Sequence, residues 1–170
     1  MEFRTLISEE QIKTRIKELA KQIDEDFNGE PYILLPVLRG SFIFAADLMR
    51  ELTGDVSIDF IEAKSYMGTE STGTLTILKD AREDIKGKNV IIVEDIIDTG
   101  ITLNELSKEY LKREPKTLKI CSCFDKPSRR EVDLKGDYIG FEIPNEFVIG
   151  YGLDYDEKYR NLKEVKIYEE

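Results

Sequence analysis

Apolar positions along the chain follow two rhythms. Between Ser8 and Asn28 they recur as Ile12, Ile16, Leu19 and Ile23, the spacing of a helix with one buried stripe. Ser8 and Gln11 have the spacing of a capping box at its start, and Asn28-Gly29 supplies a stop. That helix reads as packing. The runs 32–38 (YILLPVL), 90–93 (VIIV) and 117–124 (TLKICSCF) are apolar at almost every position, as expected of strands buried on both faces of a parallel sheet. Residues 56–64 and 74–79 show further strand patterns, and helices are predicted over roughly 42–52 and 103–113, the second stopping before Pro115.

Strands alternating with helices predict an α/β fold: a mostly parallel twisted sheet with helices on both faces and its working loops at the strands' carboxyl ends. From Asp137 to Leu162 the rhythm fails. Pro144 and several glycines break the chain into short pieces, which predicts a small C-terminal hood rather than another strand–helix unit. No repeat, low-complexity tract or linker is visible. One domain over 1–170 is expected, its hood drawn mainly from about 126–170 with a contribution from the N-terminus.

The stretch KNVIIVEDIIDTGITL, Lys88 to Leu103, carries the densest chemistry. Glu94 and Asp95 close the apolar run, and Asp98-Thr99-Gly100-Ile101-Thr102 leads into the next helix. Gly100 allows a backbone that turns successive N–H groups into one concavity, and a helix N-terminus adds its positive dipole end. With the Thr99 and Thr102 hydroxyls, the turn suits a phosphate monoester. Glu94 and Asp95 suit sugar hydroxyls or a hard cation such as Mg2+. Phosphate and diol held side by side describe a ribose 5-phosphate site. The plainer alternative is a capped crossover helix, with Thr102 and Glu105 as a capping box. One threonine can serve both.

Composition narrows the chemistry. The net charge of −10 argues against a general grip on nucleic acid. The chain has no histidine, which removes Ser-His-Asp and Cys-His machinery and imidazole proton shuttles. Acid–base work then falls to a carboxylate, Lys or Tyr, and metal use to oxygen-ligated cations. Cys121 and Cys123 lack a second cysteine pair and read as ordinary thiols. No long apolar run or signal-like start is present, so no membrane association and a cytoplasmic location are expected.

Other segments read either way on residues alone. Leu38-Arg39-Gly40, between a strand and a helix, is a second anion site or a plain turn. After Lys64-Ser65-Tyr66, the small polar stretch Met67–Thr74 is a lid or a long hairpin connection. Lys126 is a solvated charge or a ligand contact, and Ser128-Arg129-Arg130 receives no role. The aromatic section around Phe147 is a core edge or a stacking surface.

Val93 to Leu103 resembles the phosphoribosyl-pyrophosphate motif of the type I purine phosphoribosyltransferase family, closest to its hypoxanthine-guanine branch. The other segments extend the likeness over most of the chain. The resemblance implies transfer of a 5-phosphoribosyl group from phosphoribosyl pyrophosphate to N9 of hypoxanthine or guanine, with Mg2+. It implies that Glu94, Asp95, Asp98, Thr99, Gly100, Ile101 and Thr102 bind the phosphoribosyl group, with Asp98 moving a proton at purine N7. Leu38, Arg39, Gly40 and Arg160 would bind pyrophosphate, the first three through a strained backbone that can include a non-proline cis peptide. Relatives often carry Lys where Arg39 stands. Ser65 and Tyr66 would begin the lid. Lys126 would meet the 6-oxo group, Phe147 would stack on the purine, and the Val148 backbone would meet its edge. Asp154, at the purine end of the site, would join Glu94 and Asp95 in holding the metal.

The family also implies a homodimer or homotetramer. A nucleotide-sensing regulator with this fold, a xanthine-preferring relative, and a phosphoryl-transfer domain resembling a response regulator are the competing readings. A regulator of that kind binds RNA or DNA, which the chain's charge speaks against, and a phosphoryl-transfer domain predicts phosphorylation of an aspartate with no need for a purine base.

Overall fold

The computed structural model describes residues 2–66 and 74–169. At its centre β2 (Tyr32–Pro36), β3 (Val56–Ile58), β6 (Asn89–Ile97), β7 (Thr117–Asp125) and β8 (Tyr138–Glu142) form one sheet in the order β3-β2-β6-β7-β8. Every pairing in it is parallel. Alternate residues of the strands face opposite ways, and both faces are dry. Leu34, Ile91, Val93, Cys121 and Cys123 pack with α1 (Glu9–Phe27) and α2 (Phe42–Glu51). Ile33, Leu35, Val90, Ile92 and Ile120 pack with Leu103, Leu106 and Tyr110 of α3 (Ile101–Leu111). Helices therefore cover both faces, as the continuous apolar runs predict.

The chain leaves β2 through α2 toward β3, on one side, and leaves β6 through α3 toward β7, on the other. The strand order reverses between β2 and β6, and a crevice opens beyond their carboxyl ends. Their following loops, at 37–41 and 98–100, are the ones singled out by sequence.

A second sheet lies over this edge. β1 (Glu2–Ile7), β10 (Val165–Glu169) and β9 (Val148–Ile149) pair antiparallel in the order β1-β10-β9, joining the two ends of the chain. The Tyr151 hydroxyl donates to Asp47 of α2 at 2.6 Å and ties this layer to the helices.

Three expectations are corrected. Residues 56–64 are not one strand: β3 ends at Ile58, and β4 (Glu62–Tyr66) pairs antiparallel with β5 (Thr74–Lys79) as a separate ribbon. Asp59 causes the break. Its buried carboxylate accepts the N–H groups of Phe60, Arg82 and Glu83 at 2.8, 2.6 and 3.0 Å, interrupting the parallel pairing until the single bridge of Ile61 with Val37. The helix expected from Leu103 starts at Ile101, directly after Gly100 with φ 83°. The capping box of Thr102 and Glu105 does not form, because Gly100 holds the N-cap position and the Thr102 hydroxyl is bonded to Ser65 instead. The Ser8–Gln11 box on α1 is present in full. The lid segment Met67–Thr74 lies, but for Thr74, outside the described residues.

Candidate active site

Among the described residues, the two helices that begin at the crevice lack side-chain caps, whereas α1, which begins elsewhere, has one. At α2 the N-cap residue is Ser41, whose hydroxyl turns away and donates to the Val37 carbonyl at 2.6 Å. At α3 the N-cap is a glycine without a side chain. Helix N–H groups left without a side-chain acceptor are what an anion takes up. The turn before α3 is rigid. A Cβ on Gly100 would press on Arg130, Val132 and Leu134, so a positive φ and close packing both select glycine there.

Leu38, Arg39, Gly40, Glu94, Asp95, Asp98, Thr99, Gly100, Ile101, Thr102, Asp154 and Arg160 line one cleft of about 360 Å3, together with Val37, Ala63 and Leu103. The peptide bond between Leu38 and Arg39 is cis. Gly40 lies against the Asp95 carboxylate so closely that a Cβ would collide with it, and a Cβ on Gly152 would collide with the Gly40 carbonyl. The stack of the Asp95 side chain, Gly40 and Gly152 thus brings sheet, anion loop and upper layer into contact.

Glu94 and Asp95 are the electrostatic centre. Burial pushes both carboxyls above the usual carboxylate range, Glu94 well above it, and the neighbouring Asp95 charge raises Glu94 further. The Ile96 N–H, 2.7 Å from Asp95, and the positive charge of Arg160 partly offset this for Asp95. Arg160 donates to the Gly152 carbonyl at 2.6 Å and pairs with Asp154 at 3.6 Å and Glu157 at 3.2 Å. Arg39 reaches Glu157 as well, at 3.3 Å. Two guanidinium groups therefore converge on one side of the cleft, opposite two carboxyls on its floor.

Among the described residues no three acidic, His or Cys side chains converge into a cation cage. Glu94 and Asp95 fit a hard cation that arrives with oxygens of its own, since a nearby positive charge would relieve their burial.

Lys126 sits at the end of β7, next to the cleft floor, its N–H donating to the Ile97 carbonyl at 2.9 Å. It is only 9 % exposed, yet no hydrogen bond or ion pair to its ammonium is present among the described residues. The ammonium itself is not a buried atom, so the stem is covered while the end stays open to solvent. At that open end an acceptor can be supplied. Phe147 is 48 % exposed, its ring held edge-on by Tyr155 and Tyr168 with centroids 5.7 and 6.0 Å away. Val148 is buried in β9.

The model of the phosphoribosyl transferase domain matches residues 6–156 of the chain. The chain belongs to the phosphoribosyltransferase family. It is 51 % identical over 160 residues to the hypoxanthine phosphoribosyltransferase of Salmonella typhimurium, covering 92 % of this chain and 90 % of that protein. To the hypoxanthine-guanine phosphoribosyltransferase of Aquifex aeolicus it is 46 % identical over 167 residues, covering 97 % and 94 %. The crystal structure of a hypoxanthine-guanine phosphoribosyltransferase from Bacillus anthracis, with HEPES in its active site, superposes with a TM-score of 0.94 at 54 % identity over 98 % of each chain.

Within this phosphoribosyltransferase fold, the residues expected to bind phosphate, sugar and pyrophosphate share the cleft. Lys126, Phe147 and Val148 are not among its lining residues. Ser65 touches it through the Thr102 hydroxyl, and Tyr66 ends β4. Sequence reasoning missed Glu157, which joins Arg39 to Arg160, and Gly152, which seats the upper layer. It also missed Arg129, 3.0 Å from Asp98. Only the basic pair Arg129-Arg130 offered a signal.

The raised carboxyls have a stability consequence. Above the ordinary carboxylate range the folded state holds protons that the unfolded chain has released, so stability falls as pH rises through that window. Removing one charge removes this cost. Glu94→Gln is expected to raise the melting temperature at neutral pH by ~2–4 °C per kcal/mol relieved, the gain shrinking as pH falls toward about 4. Thermal denaturation across pH measures it. A gain independent of pH, or a loss at neutral pH, contradicts the assignment.

Proposed function

We propose that the protein transfers the 5-phosphoribosyl group of phosphoribosyl pyrophosphate to N9 of hypoxanthine or guanine, giving the nucleotide and pyrophosphate in purine salvage. The observation that carries the reading is the cleft itself. An uncapped helix N-terminus, a half-buried carboxyl pair and two converging arginines meet in a chain about half identical to named hypoxanthine phosphoribosyltransferases.

The parts divide the donor between them. The turn from Asp98 to Thr102 takes the 5-phosphate on its N–H groups and hydroxyls, and Glu94 and Asp95 accept from the sugar diol. Leu38, Arg39 and Gly40 take pyrophosphate through backbone N–H groups and the Arg39 guanidinium, with Arg160 on the other side. Asp154 sits beside Arg160, where it would share with Glu94 and Asp95 the holding of Mg2+. Bound there, the cation would neutralise charge building on the departing pyrophosphate. As the C1–O bond loosens, the sugar gains oxocarbenium character, and the carboxylates on the floor stabilise that charge. Ser65 and Tyr66 would lead the lid that keeps water from the sugar cation.

The purine side follows from donors and acceptors. An ammonium can only donate, so Lys126 accepts a 6-oxopurine and meets the amino group of a 6-aminopurine donor to donor. Phe147 stacks on the ring and the Val148 backbone meets its edge. As N9 forms its bond to C1, the proton at N7 passes to Asp98. With no histidine in the chain, a carboxylate in that place does the work an imidazole could otherwise do. We include in the proposal a homodimer or homotetramer, which sedimentation equilibrium measures.

Ultraviolet monitoring of hypoxanthine, guanine and xanthine, each with phosphoribosyl pyrophosphate and Mg2+ and an EDTA control, tests the reading. Magnesium-dependent conversion of hypoxanthine or guanine is expected; conversion of xanthine alone points to the xanthine-preferring relative. Folded protein that binds the donor and converts none of the three refutes the proposal and favours a regulator. In the same assay Asp98→Asn is expected to lose ~10^2- to 10^4-fold in turnover while donor binding persists. Near-normal turnover removes Asp98 from the proton step.

A further inference from the structure

The basic pair Arg129-Arg130 follows β7 in a single 3-10 turn and takes no part in the reaction as described. The structure nevertheless ties this segment to the phosphate turn along its length. Glu131 N–H donates to the Thr99 carbonyl at 2.9 Å. Arg130 donates to the Asp98 carbonyl at 2.7 Å, the Leu134 carbonyl at 3.0 Å, and the Asp125 carboxylate. These bonds fix the backbone of Asp98 and use Arg130 fully. They leave the Asp98 side chain, which is 46 % exposed, free to change rotamer but for one contact among the described residues. That contact is Arg129, whose Nε–H donates to Asp98 Oδ1 at 3.0 Å.

We propose that Arg129 is the positioning residue for Asp98, holding Oδ1 so that Oδ2 is presented to the N7–H of the incoming purine. The proposal rests on the reading of Asp98 as the proton acceptor. Arg129 has no other hydrogen-bond or ion-pair partner for its side chain among the described residues. An exposed ion pair of this kind adds little to folding stability. Its effect belongs to orientation, where a misplaced reacting group lowers turnover without weakening the grip on substrate elsewhere.

A double-mutant cycle separates this role from a structural one. Arg129→Ala is made in the native chain and in Asp98→Asn, and kcat and KM for hypoxanthine and for phosphoribosyl pyrophosphate are measured in all four proteins. In the native background Arg129→Ala is expected to lower kcat by about 5- to 10-fold, with KM for the donor within about two-fold. In the Asp98→Asn background it is expected to change kcat no further. An unchanged kcat, an effect confined to KM, or the same loss in both backgrounds overturns the proposal. Near-normal turnover of Asp98→Asn by itself refutes the proton role of Asp98 instead, which distinguishes the two failures.

Discussion

Two neighbouring carboxyls, half-buried on the cleft floor at the end of a parallel strand, are the constraint on which the rest depends. Glu94 and Asp95 occupy positions that simple stability would give to apolar residues, and burial holds both above their usual range. Nothing on the apolar faces of the sheet needs them. The surroundings are arranged to admit them: a glycine at position 40, an N–H of Ile96 on Asp95, and Arg160 reaching in from the upper layer. Under the proposed function, sugar hydroxyls and a cation would relieve this cost on binding.

The same constraint explains the two-layer build. The five-stranded sheet supplies the uncapped helices and the carboxyls, while the layer formed by β1, β9 and β10 supplies Arg160 and Asp154 from the loop beneath it. Gly152 over Gly40 is where the layers touch, and neither position tolerates a side chain. Charge is therefore balanced across a seam. Carboxyls lie on one side, and guanidinium groups, themselves restrained by Glu157, lie on the other. The residues proposed for the purine, Lys126 and Asp98, lie at the edge where β7 ends, on segments bonded to one another through Ile97.

How much of this was legible depends on whether the interaction is local in sequence. The run from Glu94 to Thr102 is contiguous, so its acids and turn could be read directly, although the helix begins at Ile101 and not at Leu103 as expected. The parallel sheet followed from runs such as VIIV, which make sense only when both faces are covered. The capping box of α1 spans three residues and was readable too. Long-range bonds were not. Asp59 breaks a strand through the N–H groups of Arg82 and Glu83, and Ser65 diverts Thr102 from a cap. The burial of the Lys126 stem, with no partner for its ammonium among the described residues, is likewise invisible in a sequence.

The most direct test of the carboxylate pair is to count protons on binding. Phosphoribosyl pyrophosphate with Mg2+ is titrated into the protein by calorimetry at neutral pH, in buffers of different ionisation enthalpy. The same titration is run on the Glu94→Gln/Asp95→Asn variant. If the pair carries protons in the free protein and gives them up to bind sugar and cation, the native protein releases protons that the variant does not. Equal proton release by both would show that the pair is already ionised before ligand arrives, and would contradict the account.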